Sequence, residues 1–321
     1  MPQRNILHVP LAPIAGDRFQ PTGFPDLGAA TFKKFDRSAS ADGQWVEALL
    51  VESEQSMANH LEGVGWDRAD QKQVDAFNGL PYVQVVNADG EYLTSSRTEA
   101  HRLASAFIRE GKLQDGSSMI EHLRKVMELR DDKPLSARSI ASAIFSLDPL
   151  ALVHGVFFAD NKLPGQPKIA RALTSFVEAV DVQRAEYGGV KKDDVSHSNA
   201  EGQGSTEGFG SIPFHRTLWT ARSITASFVL DLDQLRSYGL PGSASRLLEI
   251  IALWEIRNLL DGGMRLRTMC DLAPLNNDID GLPSADRLGA ELRSLIEENS
   301  SALNSGNLTT VVWTTGKKGK G

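Results

Sequence analysis

At 321 residues, with 41% hydrophobic and 23% charged side chains, the chain has the composition of globular material, enough for one large domain or two smaller ones, and disorder of the whole is excluded. The formal net charge of −7 argues against a general nucleic-acid coat, because phosphate neutralisation normally leaves a basic surface. A single cysteine, Cys270, rules out an internal disulfide, cannot by itself build a structural zinc site, and is expected as a small buried apolar residue.

Ile6 to Ile14 reads as a strand, apolar on both sides and therefore central. Gly16 to Ala30 follows, where Gly16, Pro21, Gly23, Pro25 and Gly28 force an irregular loop that interleaves polar and aromatic side chains. Around it Arg4, Arg18, Lys33, Lys34 and Arg37 outnumber Asp17, Asp26 and Asp36, a locally basic stretch in an acidic chain. Ser53 or Ser56 caps a helix carrying Met57, Leu61 and Val64 at helical spacing. Tyr82 to Val86 and Glu91 to Thr94 flank Asp89-Gly90, a hairpin signal. Ser118 and Glu121 form a candidate capping box before Ile120, Leu123 and Met127, and Ile140, Ile144 and Leu147 mark another short helix.

The second half alternates strand and helix, as in mixed α/β or α+β folds. Ala151 to Phe158 is strand-like, and Ile169, Leu173, Phe176, Val177 and Val180 predict an amphipathic helix. Between Tyr187 and Pro213 there is no apolar period, and six glycines sit among Lys, Asp, Ser and His; a stretch this long is either functional or disordered. Ile224 to Leu232 alternates apolar and polar residues, a strand with one wet face. Ser243 to Leu260 is the most apolar helix, closed by Gly262-Gly263. Its Glu249, Glu255 and Arg257 break the run, and no basic segment precedes an apolar core at the N-terminus, so a cytoplasmic location without membrane contact is expected. Met264 to Asp271 reads as a strand placing Arg265 and Arg267 on one wet face. A helix with Leu288, Leu292 and Leu295 and a strand from Leu308 to Trp313 close the fold, before a mobile tail at 314–321.

Searches for reactive chemistry return little. The seven histidines (8, 60, 101, 122, 154, 197, 215) are scattered, and no helical pair encloses a glutamate, so no metal and no cofactor is expected. The phosphate-loop pattern and the Gly-x-Ser-x-Gly elbow are absent, and Gly202-x-Gly204 and Gly208-x-Gly210 lack the strand and helix of a dinucleotide motif. Asp17 and Asp26 flank the first loop, where aspartates mostly form turns. What remains is contact chemistry for a nucleic-acid backbone. Arg18, Lys33 and Lys34 can meet phosphates, and Phe19 and Phe24 can stack on bases or anchor the loop. Ser53, Gln55, Ser56 and Asn59, with His60, cluster at a helix N-terminus that favours an anion. Arg265 and Arg267 would lie on a wet sheet face of the kind that RRM modules turn to RNA.

The runs Gly16 to Ala30 and Leu49 to Glu62 resemble the backbone subunit of type I-G (formerly I-U) CRISPR effector complexes, of the RAMP superfamily. Leu93 to Ser96 with Glu99 to Ser105, Asp148 to Leu150 leading into His154 to Phe157, and Arg265 to Leu272 look like further blocks in the family's order. Gly165 to Arg171 departs from the pattern. The resemblance implies an α+β fold in one domain over 1–321: an RRM-like (ferredoxin-like) palm with a helical insertion near 97–147 and an extended thumb hairpin near 184–216. It implies a non-catalytic subunit that polymerises along guide RNA and presents it to target DNA, with further copies of itself, a large subunit and a repeat-processing subunit as partners. To the candidate RNA contacts it adds Gln20 and Thr22, His101 and Arg102, and Lys191, Lys192, His215, Arg216 and Arg222 in and beside the thumb. Two other readings stand beside it: a metal-dependent ribonuclease using Asp17 or Asp26, as in a related branch, and a protein scaffold that binds no nucleic acid.

Overall fold

The computed structural model describes residues 3–24, 27–36, 43–192 and 212–314. Asp26, most of the glycine-rich stretch (193–211) and the tail from 315 lie outside the described residues. In chain order the first half runs β1 (Arg4–Pro13), β2 (Gly23–Phe24), β3 (Gly28–Ala29), β4 (Thr31–Asp36), β5 (Gln44–Glu52), α1 (Glu54–Gly63), β6 (Trp66–Asp67), β7 (Lys72–Gln73), β8 (Val83–Val86) and β9 (Tyr92–Ser95). Then come α2 (Ala106–Arg109), β10 (Lys112–Leu113), α3 (Met119–Val126), α4 (Ala137–Leu147), α5 (Leu150–His154), β11 (Val156–Phe157) and β12 (Lys168–Ile169). The second half holds β13 (Leu173–Lys191), β14 (Ile212–Asp231), α6 (Leu232–Ser237), α7 (Gly242–Asp261), β15 (Met264–Arg267), β16 (Cys270–Pro274), α8 (Ala285–Glu298) and β17 (Thr309–Val312).

The fold is α+β. A seven-stranded antiparallel sheet has the order β15-β16-β1-β14-β13-β5-β4, and a second sheet has the order β10-β17-β8-β9 with β8 parallel to β17. One face of the large sheet is buried. Leu7, Val9 and Leu11 of β1, Val177 and Ala179 of β13, and Ile224, Ala226 and Phe228 of β14 point inward, and helices α1, α5 and α7 pack against β13 and β14. α7 is buried nearly all round, which explains a helix apolar on every side that crosses no membrane. Among the described residues no helix is long and apolar enough to span one. Cys270 is buried as expected, and burial pushes its thiol up to about 12.

Several sequence expectations are corrected. β1 is central in strand order but only alternately buried, with Ile6 exposed, because the sheet keeps an open face. The helix expected over 169–180 is strand β13: Leu173, Ser175, Val177 and Ala179 are buried at period two, and the strand pairs with β14 from Leu173↔Leu230 to Lys191↔Ile212. The strand expected at 151–158 is the helix α5 followed by β11, Asp148 turning the chain by accepting the Leu150 N–H. Ser118 caps α3 without a side-chain hydrogen bond, so the capping box does not form. Met264 to Asp271 is a hairpin rather than one strand, and residues 97–147 hold β10, paired with β17, besides their helices.

Gly155 ends α5 at φ 82° and ψ 154°, a region that is essentially glycine's alone, and an added Cβ would lie 3.0 Å from both the Arg171 nitrogen and the Ile169 oxygen. Gly155→Ala is therefore expected to lower stability by about 1–3 kcal/mol, as read by chemical denaturation.

Candidate nucleic-acid interface

The loop after β1 is fixed at three points. Phe19 and Trp219 exchange backbone hydrogen bonds of 2.9 Å, the Gln20 N–H donates to the Met269 carbonyl at 2.7 Å, and the Thr22 N–H donates to the Val51 carbonyl at 2.8 Å. β2 and β3 then close against each other, and Gly23 is required there because a Cβ would collide with the Gly28 carbonyl. This loop forms one wall of a cleft of about 440 Å3 whose other walls are Arg184, Thr217 and Trp219 of β13 and β14 and Arg267 of β15.

Arginines and aromatic rings converge at this point, the root of the long β13–β14 ribbon. Arg184 faces Trp219 across the ladder with its guanidinium 5.9 Å from the ring centroid, and Arg18 lies 5.3 Å from the centre of Tyr187. Arg216 donates to the Gln20 side chain at 3.3 Å. Arg267 is the floor. It ion-pairs with Glu52, which is 1% exposed, and donates to the backbone oxygens of Gln20 and Val51 at 2.8 and 3.2 Å. His60 of α1 lies within electrostatic reach of Glu52, Arg267 and Arg68; burial is the main cause that lowers its pKa, so the ring is neutral at neutral pH.

The structure brings Gln20, Thr22 and Arg267 together at the cleft, while Arg18, over Tyr187, and Arg216, bonded to Gln20, flank it without lining it. Phe19 is a correction: its ring is fully buried in the core, because its backbone pairs with Trp219 and the side chain turns inward, out of reach of any base. Arg265 and Arg267 do not share a face, since a register shift lies between them, leaving Arg265 exposed and Arg267 internally bonded. Ser53 is the N-cap of α1, accepting from Ser56, while Gln55 and Asn59 are exposed on the same helix. Lys33 pairs with Glu47 and Lys34 is exposed on β4, at the far edge of the sheet. Arg222 bridges Asp36 and Asp181, and His215 meets Glu186 at 2.9 Å. Lys191 and Lys192 are exposed at the outer end of the described ribbon. His101 is exposed, but Arg102 is bound in both directions by Glu62 and donates to the Gly155 carbonyl. Sequence reasoning missed Arg184 and Trp219; their cross-strand pairing is the signal, and it shows only once the register of β13 on β14 is known.

The described residues thus form an α+β protein whose large antiparallel sheet extends into a two-stranded ribbon with a basic, aromatic cleft at its root. The family model for CRISPR-associated protein GSU0053 (Cas_GSU0053) matches residues 6–184, more than half of the chain, and the chain belongs to that family. No curated protein matches the sequence. A chain in the solved structure "CRISPR RNA-guided surveillance complex, pre-nicking" is similar over 85% of this chain and 74% of its own length, with 12% identity and a TM-score of 0.42, an overlap too loose to carry an argument.

Two substitutions separate architecture from contact. Phe19→Ala is expected to destabilise the protein by about 3–5 kcal/mol, and Arg267→Ala by about 3–5 kcal/mol because Glu52 is left buried and unpaired. Both losses should appear in urea denaturation without any nucleic acid present.

Proposed function

We propose that this chain is a non-catalytic guide-RNA-binding subunit of a CRISPR effector complex of type I-G, copies of which line up along the guide RNA as its backbone and present it for pairing with target DNA. In this reading the large sheet is an RRM-like palm and the β13–β14 ribbon is the thumb. The observation that carries it is the pair of arginine–aromatic contacts at the ribbon root, Arg184 with Trp219 in the cleft and Arg18 with Tyr187, next to Arg216, on the other face of the ribbon, in a member of a CRISPR-associated family. Guanidinium groups beside aromatic rings suit single-stranded RNA, since phosphates take the charge and every base has a face to stack. Specificity is left to base pairing, so the protein needs only to read backbone and shape.

The test is to purify the protein from cells carrying a matching repeat array and the partner subunits, the large subunit and the repeat-processing subunit included, and to sequence the RNA that resists nuclease. Repeat-spacer RNA protected at regular intervals supports the backbone role; a folded preparation without RNA returns the scaffold reading to first place. Arg184→Ala and Arg216→Ala are each expected to weaken RNA binding uniformly across guide sequences and to reduce the salt slope by about one. A loss that depends on guide sequence would contradict backbone reading.

A further inference from the structure

A second cleft, of about 600 Å3, opens between the C-terminal half of α1 and the β9 edge of the smaller sheet, lined among others by Asn59, Trp66, Arg68, Tyr92, Leu93 and Arg97. We propose that it holds one nucleotide of single-stranded RNA, its base against Tyr92 and Leu93 and its phosphate at Arg68, as an extension of the groove at the ribbon root. The inference rests on the RNA-binding reading above.

Three observations converge on this ligand. The wall is aromatic: Tyr92 stacks on Trp66 with centroids 6.1 Å apart and planes at 29°, and Leu93 beside it is 44% exposed. Such a surface accepts any base. The floor holds a buried cation: the Arg97 side chain is 4% exposed, reaches Asp148 at 3.1 Å and donates to the Pro81 carbonyl at 3.1 Å. At the rim Arg68 is exposed and has no ion-pair partner among the described residues.

The acids around the cleft are already engaged. Glu62 is bound by Arg102 at 2.6 and 2.8 Å, and Glu99 accepts from Thr94 and Ser105 at 2.7 Å each. His60 on α1 lies within electrostatic reach of both Arg68 here and Arg267 of the first cleft. An acidic peptide would suit Arg68 as well, but the stacked aromatic wall favours a flat base.

The experiment photocrosslinks the full-length chain to single-stranded RNA carrying 5-iodouridine at one position at a time and maps the adducts by mass spectrometry. Adducts at Trp66 or Tyr92 are expected, from a different RNA position than adducts at Trp219 or Tyr187. Adducts confined to Trp219 and Tyr187 overturn the nucleotide pocket and leave the proposed function standing; a chain that binds no RNA overturns both. Arg68→Glu alters an exposed, unpaired side chain, so the melting temperature should hold while RNA affinity falls about tenfold; unchanged affinity overturns the proposal. Protection of Tyr92 from iodination by poly-glutamate but not by RNA assigns the cleft to an acidic protein segment and likewise overturns it.

Discussion

The arrangement of the helices over the sheet depends on charges buried between them. Glu255 on α7 meets His154 of α5 at 2.8 Å with both side chains fully buried, Arg97 meets Asp148, and Arg102 clamps Glu62 of α1. Burial pushes the Asp148 and Glu255 carboxyls up, against the pull of Arg97 and His154 respectively. At Glu62 burial pushes the same way but is outweighed by His154 and Arg102, so that carboxyl is held below its ordinary range. Buried ions lose their hydration, and removing one partner strands the other, at about 3–5 kcal/mol. The set is therefore all or nothing, and its consequence is positional. α1 is held at its C-terminal end by Arg102 and at its N-terminal end by Arg171, which donates to the Glu54 carbonyl. The second cleft is lined by Asn59 and Glu62 of α1, so it inherits that fixed position.

This network also explains which parts of the sequence could be read. The blocks Leu93 to Ser96 with Glu99 to Ser105, and Asp148 to Leu150 leading into His154 to Phe157, which resemble family motifs, supply Arg102, Asp148 and His154, and Arg97 lies between two of these runs; these are the charges that lock the helices. Their motif character was legible; their role as internal pairs was not, because a sequence shows neither partner nor burial. The elements with a clear apolar pattern were legible too: α1 with a serine cap, the β8–β9 hairpin, α4, the apolar run of α7, and α8. β13 was not. Its apolar residues at 173, 176, 177 and 180 fit a helical stripe, and the inward residues Ser175 and Ala179 carry too little hydrophobicity to reveal the period of two. β4 and β5 were passed over because only the pairing of Thr31 to Asp36 with Gln44 to Leu49 makes them strands.

The acidic net charge and the basic cleft are compatible for a similar reason. Many carboxylates are spent on internal or surface pairs, among them Glu52 with Arg267, Asp160 with Arg109, and Glu291 with Arg246. Arg18 and Arg184 instead lie against aromatic rings, which keep a guanidinium charged and oriented without neutralising it. Net charge counts all of these alike. What a polyanion meets is the local field, and at the ribbon root that field is set by arginines whose partners are rings and amide oxygens.

The ribbon carries the last step. Beyond the sheet body β13 and β14 continue as two strands alone, from about Gln183↔Thr220 to Lys191↔Ile212. A two-stranded ribbon is marginal in water without a third strand or a packed face. Here the cross-strand contacts are few: Tyr187 meets Phe214 at 5.6 Å, Phe214 remains 41% exposed and Val190 57% exposed. Arg18 and Gln20 brace only the root, through Tyr187 and Arg216. Lysines at 191 and 192 and aromatic surface at 214 are thus held out where none of the described residues covers them. In the proposed role, RNA would supply that cover with phosphates for the charge and a neighbouring copy with apolar surface, so the feature that weakens the free ribbon is the one that assembly would stabilise.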